Sequence, residues 1–198
     1  MKLNLCLIVD SNLKGTQLGS GIRPRDKPYI RCRGRVFCPY IVDPHCNLWP
    51  AMSHIKESSY TDIVIALGMN HCKKRSADKP WISAAHKLCE TLLSYEKQIP
   101  GVRVYCVPVP PSLSAETTKN AEEFNAILRS KLCGTLVQIV SIPNTLYGSD
   151  GLLLPKFARP GEEFKADTSK LHLNNQGLQI LTYSVCKSIR KFSGKRLR

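Results

Sequence analysis

Ile63-Val-Ile-Ala-Leu67 is an unbroken apolar run closed by Gly68. A short run with no polar alternation has no wet face, so it reads as a strand buried on both sides, which is the environment of a parallel sheet sandwiched between helices. Further strand candidates are Leu3 to Val9, Val36 to Val42, Val102 to Val107 and Leu136 to Val140. Between them the apolar spacing becomes helical. Ala85, Leu88, Leu92 and Tyr95 recur three and four apart, Ala121, Phe124, Leu128 and Leu132 do the same, and a last helix carries Leu178, Leu181, Val185 and Ile189. A further helix is expected from about Leu48 to Glu57. Strands alternating with helices build βαβ units with right-handed crossovers, hence an α/β fold with a parallel sheet covered on both faces. A chain of 198 residues suits one such domain, read here as 1–191 with a basic tail at 192–198.

In an open sheet of this type, the loops at the carboxyl ends of the strands form the ligand crevice. Three candidate residues fall there. Ser11 follows the first strand, Asn70 follows the third, and His172 precedes the last helix. Serine attack on an ester requires a base for the hydroxyl proton and donors for the developing oxyanion, roles that these three residues can fill together. Each also has an ordinary reading: Ser11 as a helix N-cap, Asn70 as a turn residue, His172 as a loop histidine capping the helix behind it.

The chain carries 29 Lys plus Arg against 15 Asp plus Glu, a net charge of +14, which favours polyanionic partners such as RNA or an acidic membrane surface. The charge is clustered. Six basic residues lie between Arg23 and Arg35, among them Arg31, Arg33 and Arg35; Lys73, Lys74 and Arg75 follow the Asn70 turn; six more lie between Lys187 and Arg198. On one face these would make a phosphate-binding surface. Tyr29 and Phe37 are the aromatics near the first cluster, too few to suggest base stacking.

Nine cysteines form no CxxC pair, so no zinc site is indicated, and those inside apolar runs read as small buried hydrophobes. No apolar run approaches 18 residues, no signal peptide is evident, and the cysteine count is odd. A reduced, cytoplasmic setting without a membrane span is expected. Because the first strand begins almost at Met1, the chain can equally be a domain cut from a longer protein with fused neighbours. His71 lacks partners at metal-ligand spacing and reads as polar surface.

Asp10-Ser11 resembles the nucleophile block of the SGNH (GDSL) hydrolases, Gly68-Met-Asn70 resembles their Gly-x-Asn block, and Leu171-His-Leu-Asn-Asn-Gln-Gly177 resembles their histidine block. The order and spacing fit over nearly the whole chain. The resemblance implies a flavodoxin-like three-layer α/β/α sandwich with about five parallel strands. It also implies ester hydrolysis on acyl, acetyl or lipid substrates without metal or cofactor. Ser11 would be the nucleophile, His172 the base, and Asn70 with the backbone N–H groups of Ser11 and His45 the oxyanion hole.

Two positions depart from the family pattern. His45 stands where the family has a glycine, and Ser169 stands three residues before the histidine, where the family has its acid. Asp167 is the nearest acid and the candidate orienter. The Asp150-Gly151 turn and Glu122-Glu-Phe-Asn125 are similar to the esterase-like modules in the first open reading frame of some LINE-type retrotransposons. The alternative reading is a module of this fold that has lost its chemistry and binds RNA through its basic surface.

Overall fold

The strand at Asp62–Ala66 divides its side chains between two apolar clusters, as a two-residue period requires. Ile63 and Ile65 enter one cluster, with Leu88, Leu92, Phe124 and Leu128. Val64 and Ala66 enter the other, with Leu178, Leu181, Val185 and Ile189. The sheet is therefore covered on both faces. In the computed structural model the described residues are 5–9, 35–37, 60–73, 77–162 and 172–193, the first two segments as backbone.

The elements in chain order are β1 (Leu5–Val9), β2 (Arg35–Phe37), β3 (Asp62–Ala66), α1 (Met69–Cys72), α2 (Pro80–Gln98), β4 (Arg103–Cys106), α3 (Ala115–Leu132), β5 (Gln138–Ile139) and α4 (Asn175–Ser193). Short 3-10 turns sit at Asn144–Leu146 and Pro155–Phe157. All five strands are parallel in the order β2-β1-β3-β4-β5, with Val9 opposite Ala66 and Ile65 opposite Cys106. This is the flavodoxin-like order, which reverses direction between β1 and β3 and opens a crevice beyond their carboxyl ends. The three-layer α/β/α expectation holds. The fifth strand is shorter than the run Leu136 to Val140 suggests, because Leu136 is 74% exposed at an edge. The helix expected from Leu48 to Glu57, and the second strand beyond Phe37, lie outside the described residues. Among the described residues no helix is long and apolar enough to cross a membrane.

Two polar features bind the layers. At the amino edge, Asp62 is fully buried opposite Arg103, which donates from Nε to Oδ1 and from Nη2 to Oδ2, both at 2.7 Å. Thr61 Oγ1 and Tyr105 Oη also donate to that carboxylate, at 2.6 and 3.2 Å. Buried charge is tolerated when it is paired and fully hydrogen-bonded, and here it ties β3 to β4. At the carboxyl edge, Gly68 adopts φ 120, and a Cβ there would lie 2.5 Å from Phe124 Cζ. Glycine is required twice over, by conformation and by the ring beneath it.

The sequence reading of His71 needs correction. It is 4% exposed within α1, because the turn after Gly68 folds back on α3 and not outward. Cys72, Cys89, Cys106 and Cys186 are buried free thiols, as expected of small hydrophobes, whereas Cys133 is exposed.

Replacing Gly68 by Ala is expected to destabilise the protein by about 3 kcal/mol, from backbone strain and overpacking combined, as read by urea unfolding. Stability is also expected to fall in alkali. Burial pushes the Cys89 and Cys186 thiols up to about 11, and Cys106 and the Tyr105 phenol up to about 12. These protons are held more tightly in the folded state, so their contribution is complete below the ordinary thiol and phenol values. It is lost as pH rises from about 9 towards 12, which urea midpoints measured over that range will show.

Candidate active site

The histidine segment is positioned by an antiparallel contact outside the strands of the main sheet. Leu173 bridges Ala158, the Arg159 N–H donates to the His172 carbonyl at 2.8 Å, and the Asn174 N–H donates to the Phe157 carbonyl at 2.8 Å. Asn174 then caps α4, its Oδ1 accepting from the Gly177 N–H at 3.0 Å. The cap is therefore Asn174 and not His172, which leaves the imidazole available for other work.

Just beyond this contact, Arg159-Pro-Gly-Glu162 makes a tight turn, with the Glu162 N–H on the Arg159 carbonyl at 3.0 Å and Gly161 at φ 84. Proline second and a left-handed glycine third are the demands of a type II turn. The turn returns Glu162 alongside His172, where its Oε1 lies 3.0 Å from Nδ1. Glu162 is 1% exposed and the His172 side chain 24% exposed, so the acid is shielded while the imidazole is partly open. An ionised carboxylate can only accept, so the ring proton belongs on Nδ1 and the lone pair on Nε2 faces away from the acid. This is the arrangement that orients a general base.

Sequence reasoning placed the orienter at Asp167, which, like Ser169, lies outside the described residues. The carboxylate on Nδ1 is Glu162, ten positions before the histidine. The signal that could have found it is the Pro-Gly dipeptide followed directly by an acid.

Asn70 sits in α1, half-buried, four residues past Ala66 at the carboxyl end of β3. Its turn is held from α3: Phe124 fills the space under Gly68, and Asn120 Nδ2 donates to the Cys72 carbonyl at 2.8 Å. One turn further along, Asn125 pairs both ways with the Val109 backbone, accepting from its N–H and donating to its carbonyl at 2.8 Å each. That fixes the loop leaving β4. Ser112 in the same loop accepts the Leu153 N–H at 3.0 Å, linking it to the segment that leads to His172. Leu173 shares an apolar cluster with Ala66 and Val107 at the ends of β3 and β4.

Ser11 follows β1, whose last residue Val9 pairs with Ala66, but Ser11 and His45 lie outside the described residues. Of the basic candidates, Lys73 is half-buried after α1 and Arg35 begins β2, while Arg31, Arg33, Lys74 and Arg75 lie outside them. Thus the described residues join His172 to an acid and place Asn70 at the crevice.

No protein-family model matches the chain, and no curated protein sequence matches it significantly. Solved structures do match. A GDSL-like lipase from Bacteroides thetaiotaomicron superposes with a TM-score of 0.68 at 13% identity, covering 96% of this chain and 88% of its own. The lipase Lip_vut3 from a goat rumen metagenome gives 0.62 at 11%, covering 94% and 97%. A carbohydrate acetylesterase from Sinorhizobium meliloti gives 0.58 at 11%, covering 96% and 99%. The chain therefore has the fold of the SGNH hydrolases.

Asn125→Ala leaves the buried Val109 N–H and carbonyl without their partner, and is expected to cost about 2–4 kcal/mol in urea unfolding.

Proposed function

We propose that the chain is a serine esterase of the SGNH type, hydrolysing carboxylic esters through an acyl-enzyme. The observation that carries this reading is the buried Glu162 carboxylate on Nδ1 of a partly open His172. A histidine held this way, at the start of the closing helix of this fold, is what a serine nucleophile needs. The likeness in fold to a lipase and to a carbohydrate acetylesterase supports an ester as substrate.

In this reading, Ser11 Oγ attacks the ester carbonyl carbon while Nε2 of His172 takes the hydroxyl proton. The positive ring is stabilised by Glu162 through the Nδ1 proton. The carbonyl oxygen becomes an oxyanion received by the Asn70 side chain and by the backbone N–H groups of Ser11 and His45. The tetrahedral intermediate collapses, the C–O bond to the alcohol breaks, and Nε2 returns the proton to the departing oxygen. Water then enters by the same steps in reverse order, with His172 as base, and releases the carboxylic acid and Ser11. Glu162 takes the orienting role that the sequence had offered to Asp167. Histidine at position 45 still presents an N–H, so the hole is weakened in conformational freedom without losing a donor.

The competing reading is a catalytically silent polyanion binder using the Arg31, Arg33, Arg35 and Lys73 to Arg75 clusters. The Glu162–His172 pair favours chemistry, since it sets an acid on Nδ1 and leaves Nε2 of a partly open ring for a hydroxyl proton.

Purified protein is expected to hydrolyse short acyl and acetyl p-nitrophenyl esters, with Ser11→Ala and His172→Ala reducing turnover to background. Glu162→Gln is expected to lower kcat by about 10³–10⁴ with little change in KM, Glu162→Asp to recover part of the loss, and Asp167→Asn to leave the rate near that of the parent. Absence of turnover together with no labelling of Ser11 by a fluorophosphonate would refute the reading.

A further inference from the structure

The far end of α4 carries a second surface that the esterase reading does not use. Its buried stripe, Leu181, Val185 and Ile189, repeats every four residues. Tyr183, Lys187 and Lys191 repeat at the same interval two positions along, which puts them about 200° around the helix, away from the core. All three are exposed, Tyr183 by 61%, and Phe192 beside Lys191 is 42% exposed. These residues border a groove of about 800 Å³ between α4 and the outer edge of β5, with Ile139, Pro143 and Ile180 as its apolar lining. Ser184 fixes one wall by donating to the Ser141 carbonyl at 2.6 Å.

Three properties decide what could occupy it. First, no residue lining the groove is acidic, while Lys187 and Lys191 border it in a chain of net charge +14, so the occupant is anionic. Second, β5 is paired over only Gln138 and Ile139, which is too short a template for a peptide to add as a strand, so recognition falls to side chains. Third, the exposed side chains set two lysines between two aromatics along the helix: Tyr183, then Lys187, then Lys191 with the Phe192 ring 5.3 Å from its Nζ. The two ammonium groups stem from successive turns, about 6 Å apart along the axis, with an aromatic ring beyond each. A cationic track flanked by ring faces over an apolar floor is how single strands are held, phosphates on the lysines and bases stacked on the rings. A flat lipid surface would not enter a concave groove.

We propose that the groove between α4 and β5 binds single-stranded nucleic acid, with Lys187 and Lys191 on successive phosphates and Tyr183 and Phe192 as stacking platforms. The surface differs from the basic clusters near Arg31 and Lys73, and it is independent of the esterase reading.

The test is fluorescence anisotropy of the full chain with a short labelled single-stranded RNA and its DNA counterpart over a salt series. Lys187→Glu with Lys191→Glu is expected to weaken binding at least about tenfold. It should also flatten the slope of log K against log salt by about 1.4, since each phosphate contact on a single strand contributes about 0.7. Tyr183→Ala is expected to weaken binding about tenfold at every salt concentration, a loss that a purely electrostatic surface would not show. All four side chains are exposed, so circular dichroism and ester turnover should match the parent, and turnover fails separately if the esterase reading fails. The proposal is overturned by absence of oligonucleotide binding, by binding that the lysine pair does not alter, or by a Tyr183→Ala protein that binds as the parent does. It is also overturned if phosphatidylserine vesicles bind through these residues while the oligonucleotides do not.

Discussion

A phenyl ring where a Cβ would otherwise be is the contact on which the crevice depends. Phe124 is fully buried beneath Gly68, so the chain leaving β3 must turn there and the turn must be glycine. Burying a Phe contributes about 1.5–3 kcal/mol, and close packing gives the contact little slack. From either flank of Phe124 on the same helix, Asn120 and Asn125 reach the backbone of two different segments, so α3 sets both the turn carrying Asn70 and the loop leaving β4. Those backbone groups would otherwise be buried without partners, which makes the arrangement specific as well as stable. A helix that looks like ordinary packing in the sequence is thus the jig for the site.

The pairing of Glu162 with His172 follows a different logic. Taking a carboxylate to 1% exposure costs several kcal/mol unless charged or polar partners repay it, and Glu162 has such partners in the His172 ring at 3.0 Å and in the His172 N–H, which donates to Oε2 at 3.5 Å. What the chemistry requires is a carboxylate about 3 Å from Nδ1, not a fixed distance along the chain. The contact of Leu173 with Ala158, extended by one type II turn, satisfies that requirement from ten residues away. The departure at Ser169 therefore removes a motif without removing a function that geometry can supply elsewhere.

That contrast marks what could be read in advance. The apolar runs and helical spacings in α2, α3 and α4 were legible because they are local periods imposed by burial, and the parallel sheet followed from their alternation. The places of His172 and Asn70 beside the last helix and the third strand were legible because each adjoins such an element. The contact of Glu162 with His172 was not, since it arises from a non-local bridge between two irregular segments that carry no period. Asn125 was hidden for a related reason: Glu122-Glu-Phe-Asn125 shows an amphipathic helix, but nothing local reveals that its amide meets Val109 across sixteen residues. His71 was misread as surface because the path of a turn depends on what packs above it.

Helix α4 draws these levels together. Its first residues are set by Asn174 and by the contact with Ala158, which fixes where His172 stands; its apolar stripe then fixes the rotation of everything further along. Once Leu181, Val185 and Ile189 are seated, Tyr183, Lys187 and Lys191 have no choice but to face outward beside the β5 edge. The groove begins at Gln179 and Ile180, about one turn past Asn175, and runs along the helix to Phe192, away from the end that carries His172. One element therefore carries both surfaces, and what seats its apolar stripe sets where each of them stands.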